Sequence, residues 1–168
     1  GITRAARSLR RAVEDGTNTA AREDMALASL FGGLALANAK LGAVHGFAGP
    51  FGGMIHAPHG AICAALLPHV MASNVALMTV HEPENPALAR YDEVAQLLTG
   101  SDDAKAGDGV AWVRELCRDL NVDGLGKLGL THDDFPALIE RSGRSSSMKG
   151  NPITLSEDDM TDILTEAM

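Results

Sequence analysis

Gly42-Ala-Val-His-Gly-Phe-Ala-Gly-Pro-Phe-Gly-Gly-Met-Ile-His-Ala-Pro-His-Gly60 is the stretch that decides how this chain reads. His45 and His59 stand fourteen residues apart in it, inside a longer run from Leu41 to His81 that holds no Asp, Glu, Lys or Arg. Five of the six histidines fall in that run: His45, His56, His59, His69 and His81. A long segment without charge reads as buried core. Histidines placed there need partners, because an unpaired buried polar group costs roughly 1–3 kcal/mol. A metal ion is one such partner, since neutral imidazole is the commonest metal ligand. Backbone carbonyls are the other, and the more frequent one.

The local pattern brings the two histidines toward one another. His45 to Phe51 reads as a short helix ended by Gly52-Gly53. Pro58 then opens a second helix, because proline suits a first helical turn. That places His59 where the helix dipole disfavours an imidazolium, so the ring is expected to be neutral and able to ligate. The second helix is expected to run through Leu67, break or kink at Pro68, and resume to about Met78. Fourteen residues are too many for one straight helix face and reasonable for a helix, a glycine turn and a second helix. Two ligands remain too few, because a metal site takes three protein ligands plus a water or substrate, or four.

Outward from this block, 168 residues suit one domain, 1–168. Of these, 45% are hydrophobic and only 4% aromatic, so Ala, Leu and Gly carry the apolar load, as in closely packed helices. No period-two runs of β-branched residues occur, and the expected fold class is all-α, a helical bundle. A net charge of −8 argues against nucleic acid as a partner. Cys63 and Cys117 form no Cys-x-x-Cys, which favours two buried thiols in a reduced, cytoplasmic setting. No signal peptide is evident. Prolines, six glycines and histidines interrupt the charge-free run, so no membrane span is expected there.

Helices are expected at 2–14, with arginines opposite the apolar side, and at 18–40, capped by Asn18 or Thr19 with Glu23 and Asp24 near its positive end. The middle of the 18–40 helix is apolar on nearly every face, which predicts a central, buried helix. Gly32 and Gly33 there predict close approach of another backbone. Further helices are expected at 86–99, 108–120, 132–142 and 157–167. Thr131 with Asp134, and Ser156 with Asp159, approximate capping boxes. Gly124 to Leu130 reads as a linker and Arg141 to Pro152 as a loop. His56 is expected to be an exposed turn residue, His69 to pack between helices, and His81 and His132 to be solvated near helix ends.

The Gly42–Gly60 segment, the following Ala-Leu-Leu-Pro-His-Val-Met71 with Asn74, and the tail Lys149-Gly-Asn-Pro152 before an acidic last helix resemble the iron-containing (group III) alcohol dehydrogenase family. Several fixed offsets agree at once, and the likeness spans most of the chain from Asn18 onward. The resemblance implies the C-terminal, metal-binding half of a two-domain, dehydroquinate synthase-like fold, with a nucleotide-binding domain before it. In that family an Asp and a His from one helix and two later histidines hold a divalent metal. The later two correspond to His45 and His59. The first pair would lie upstream of Gly1, so the chain is expected to be a portion of a longer enzyme, cut short or cleaved.

The activity so implied is interconversion of an alcohol and an aldehyde or ketone by hydride transfer with NAD or NADP, at an iron or zinc ion. The portion alone is expected to be inactive. Phe47, Gly49 and Phe51 are candidates to line the substrate pocket, the two phenylalanines being equally good core residues. Many relatives carry a second His, for proton relay, where this chain has Gly49. A homodimer is a possible assembly. Two other readings stand beside this one: a maleylacetate reductase-like enzyme, for which no basic cluster flanks the histidines, and a non-catalytic helical interaction module.

Overall fold

The computed structural model describes residues 1–168 and is all-helical, with no strand. In chain order the helices are α1 (Ile2–Glu14), α2 (Thr19–Asn38), α3 (Ala43–Met54), α4 (His59–His81), α5 (Ala87–Thr99), α6 (Ala106–Asp119), α7 (Phe135–Gly143) and α8 (Glu157–Glu166). Short 3-10 turns lie at His132–Asp134 and Met148–Gly150. By its contacts the chain divides into two compact units, where one domain over 1–168 is the sequence expectation. The first unit is Gly1–Ala39 with Pro86–Leu120, and the second is Lys40–Asn85 with Asn121–Met168.

In the first unit α1 packs on α2 and on α5, and α5 packs on α6. Its core is built of small residues, among them Ala21, Ala95, Ala106, Val110 and Val113. Gly109 lets α6 approach α5, because a Cβ there would stand 3.0 Å from that of Ala95. The Asn18 side chain accepts from the Ala21 N–H and starts α2 as expected. Asp24 does not serve the positive end of that helix. It lies beyond the first turn and its buried carboxylate faces α1, accepting hydrogen bonds from Arg4, both Nε and Nη2 of Arg7, and the Ser8 hydroxyl, each at 2.6 Å. These partners, Arg7 foremost, hold the Asp24 carboxyl well below the usual carboxylate range.

The expectation that α2 is buried throughout fails. Every residue from Ser29 to Lys40 is exposed, with Leu30, Phe31, Leu34 and Leu36 between 41% and 56% exposed. No backbone approaches Gly32 or Gly33; nothing lies within 4 Å of where their Cβ atoms would be. Apolar composition on all faces sets what a helix would bury, and in this chain no element covers that half.

The second unit holds all the largest fully buried side chains, including Phe47, Phe51, Ile62, Leu66, Met78, Leu138 and Leu164. Here α3 packs on α4 and α7, and α8 packs on α4 and α7. The helix α4 runs unbroken through Pro68, so no break separates two helices there. Being 23 residues long and apolar, it is long and apolar enough to cross a membrane, contrary to the reading that its prolines and histidines interrupt it. Within this unit it is the core helix, burying Ile62, Leu66, Val70, Asn74 and Met78. Gly124 to Leu130 is no loose linker. Leu125 is fully buried, its N–H donates to the Ala167 carbonyl, and Gly124 sits so close to the Met168 backbone that a Cβ would collide with its carbonyl oxygen. The capping boxes at Thr131–Asp134 and Ser156–Asp159 are both formed.

Candidate metal centre

The second unit fixes the start of α3 with two side-chain amides and two glycines. Asn151 Nδ2 donates to Asn74 Oδ1 at 2.7 Å and to the Ile153 carbonyl at 2.9 Å. Its Oδ1 accepts from Asn74 Nδ2 and from the Ala43 N–H, both at 3.1 Å. One amide thus satisfies a buried partner on α4 and one of the free N–H groups that every helix presents at its first turn. Gly150 lies directly against the Leu41 carbonyl oxygen, leaving no room for a Cβ. Gly46 packs on Met148, whose Cα lies 3.2 Å from where a Cβ would be. Phe47 and Phe51, at 0% exposure, anchor the buried face of the same helix.

So held, α3 presents His45 from its first turn, and α4 presents His59 as its first residue. The helix α3 continues through Gly52-Gly53 to Met54 before the reversal. The two rings converge, with centroids 5.4 Å apart and planes at 50°. His45 is half-buried and His59 exposed. Burial, and secondarily the neighbouring His59, push the His45 pKa below its ordinary value, which keeps its lone pair free at neutral pH.

A third donor stands beside them. Cys63 lies one helical turn after His59, on the same face of α4, with its Sγ 3.4 Å from His59 Nε2. Ligand atoms of His45, His59 and Cys63 all lie within 4.8 Å of one another. The thiol is half-buried rather than enclosed, and partial burial raises its pKa. Sequence reasoning assigned Cys63 to plain core. The overlooked signal was its i, i+4 spacing from a histidine already singled out.

The other candidates fall elsewhere. Phe47 and Phe51 are wholly enclosed, so their side chains reach no open pocket and serve as core. Gly49 is exposed with nothing within 4 Å of its would-be Cβ. His56 is exposed in the turn, and His69 pairs across to Glu166 on α8 at 3.2 Å. Cys117 is a half-buried thiol that forms no disulfide.

The donor set fits a divalent metal. Two imidazoles and a sulfur on two packed helices are the ligand types zinc and other first-row divalent ions take, and their ligand atoms all lie within 4.8 Å of one another. An all-helical unit with a convergent histidine pair at the turn between two helices has donors of the kind a metal-binding helical domain would use. Residues 1–168 match the family model described as "Fe-containing alcohol dehydrogenase family, C-terminal", and the chain belongs to that family. It is 35% identical over 168 residues to 1,3-propanediol dehydrogenase of Klebsiella pneumoniae, covering 96% of this chain and 41% of that protein. Against alcohol dehydrogenase 4 of Saccharomyces cerevisiae (strain ATCC 204508 / S288c) it is 33% identical, with 99% and 42% covered. The crystal structure of a 1,3-propanediol oxidoreductase superposes with a TM-score of 0.86 at 34% identity, covering 99% of this chain and 43% of that one. The chain therefore spans about two fifths of the length of the relatives it matches.

Proposed function

We propose that residues 1–168 form the metal-holding helical domain of a longer oxidoreductase that interconverts an alcohol with an aldehyde or ketone, using NAD or NADP. The observation that carries this reading is the convergence of His45 and His59, at 5.4 Å between ring centroids, in a chain of this family. The two imidazoles would hold an iron(II) or zinc ion. When bound, that ion would supply Lewis-acid polarisation of the substrate oxygen.

The chain's own residues do the positioning. Asn151 and Gly150 fix the start of α3, and so fix where His45 points. Lowered basicity keeps His45 a neutral donor. The absence of Asp, Glu, Lys and Arg from Leu41 to His81 keeps competing charges off the site, which strengthens any electrostatic interaction made there. With Gly49 in place of an imidazole, this chain's own residues offer no proton relay at that position. In this reading the nucleotide-binding part and the remaining ligands belong to the longer protein, and the 168 residues would not complete the reaction alone. The setting is cytoplasmic, and the reaction partners are small alcohols or carbonyl compounds.

The test is made on the full-length protein. It oxidises a small alcohol, 1,3-propanediol being the first to try, with NAD or NADP and with one divalent ion per chain. His59→Ala abolishes both metal and activity. A His59→Ala enzyme with full activity would overturn the reading.

A further inference from the structure

We infer that the segment preceding Gly1 in the longer protein continues α1 as a helix and lies, antiparallel to α2, on the open face formed by Phe31, Ala35 and Asn38. The inference rests on the reading of a longer protein above and adds to it the occupant of this surface.

The direction of α1 carries it. Arg4, Arg7 and Ser8 of α1 reach Asp24 of α2, whereas a Cβ at Gly1 would stand 3.3 Å from Phe31 Cβ. Going back along α1 is therefore going forward along α2, and the two helices are antiparallel. Ala21, Asp24, Ala28, Phe31, Ala35 and Asn38 recur every three or four residues and share one face of α2. Ala21 and Asp24, beneath α1, are buried; Ala28, beside Gly1, is half-buried; Phe31, Ala35 and Asn38 are exposed. The face opens where α1 stops covering it, and the axis of α1 carried back beyond Gly1 runs over the open part. About two further turns would reach Asn38. Met25 to Ala39 holds no Asp, Glu, Lys or Arg, so this surface offers nothing to a charged partner and calls for an apolar one. The relatives this chain matches are more than twice its length, since it covers 41–42% of them. A segment joined directly to Gly1 also acts at an effective concentration in the millimolar range, which a second copy of the chain would have to outcompete.

Photo-crosslinking in the full-length protein tests this. The variants are Phe31→p-benzoylphenylalanine and Asn38→p-benzoylphenylalanine, with Val13→p-benzoylphenylalanine, exposed at the far end of α1, as the control. After irradiation, denaturing gels separate adducts within one chain from adducts between two, and peptide mass spectrometry maps the joined residue. Both test variants are expected to form adducts within one chain. That of Phe31 falls at or just before Gly1, and that of Asn38 about two turns further upstream. The Val13 control forms no adduct with that segment. An Asn38 adduct that joins two chains, maps elsewhere in the protein or fails to form overturns the inference, as does an Asn38 adduct closer to Gly1 than that of Phe31. Metal analysis of the unmodified protein tests the histidine centre separately, so the failure of either reading is distinguishable from failure of the other.

Discussion

The two units of this chain are built from similar apolar material and bury it differently. In the second, α3 and α4 set Phe47, Phe51, Ile62 and Leu66 at 0% exposure against α7 and α8. In the first, α2 is equally rich in Leu, Ala and Gly, yet Leu30, Leu34 and Leu36 are more than half exposed. What leaves the apolar half of α2 exposed is the lack of a packing partner. The glycine Gly46 on α3 is filled by Met148, whereas Gly32 and Gly33 on α2 face open space. The first unit relies instead on a polar device, a single carboxylate shared by two arginines and a serine. The metal site is set on the packed unit, where a ligand can be held in one place.

The contrast breaks first at the large side chains. Phe47→Ala is expected to cost about 3–5 kcal/mol of unfolding free energy, while Leu34→Ala stays within about 0.5 kcal/mol. Chemical denaturation measures both, and equal losses would remove the distinction between the units.

The glycines sharpen it, because one substitution should take opposite signs. Gly46→Ala presses a methyl into Met148 and costs about 1–3 kcal/mol. Gly33→Ala meets nothing and stabilises α2 by up to about 1 kcal/mol. Two changes of the same sign would argue against the difference in packing.

Asn151→Ala strips the Asn74 amide and the Ala43 N–H of a partner at once, an expected loss of about 1–3 kcal/mol for groups left unsatisfied. It should also weaken metal binding by loosening the start of α3, which Ser142→Ala, elsewhere in the unit, should not do. Isothermal titration with zinc on both variants compares them. Equal affinities would show that the clasp does not position His45.

Acid probes the first unit most gently. The Asp24 carboxyl has a folded pKa below its unfolded one, so its contribution is fully present above about pH 4 and is lost as pH falls toward the folded value. Thermal midpoints followed into acid should fall in the wild type and fall less in Asp24→Asn, which starts lower and has no proton to take up. Parallel curves would remove Asp24 from the account.

Much of this was legible in the residues because local chemistry fixed it. Caps at Asn18, Thr131 and Ser156, and Pro58 at the head of α4, marked helix ends correctly. The glycine-rich reversal followed by proline left the His45–His59 convergence open, and it was the family resemblance that favoured it. Long-range partnership was not. Nothing local tells that Asp24 turns to α1, that Gly124 to Leu130 packs on the chain's end, or that half of α2 finds no cover. Pro68 misled for a related reason, since a helix held on its buried face tolerates a proline that would break it in isolation. Cys63 was judged by its apolar neighbours in sequence when its spatial neighbour is an imidazole.

The most direct measurement is an anomalous-scattering map from crystals loaded with cobalt. One peak per chain, within bonding distance of ring nitrogens of both His45 and His59, is the expected result. A peak bonded to only one of them, or rings turned apart with the ion elsewhere, would contradict the claim that these two histidines share a single ion.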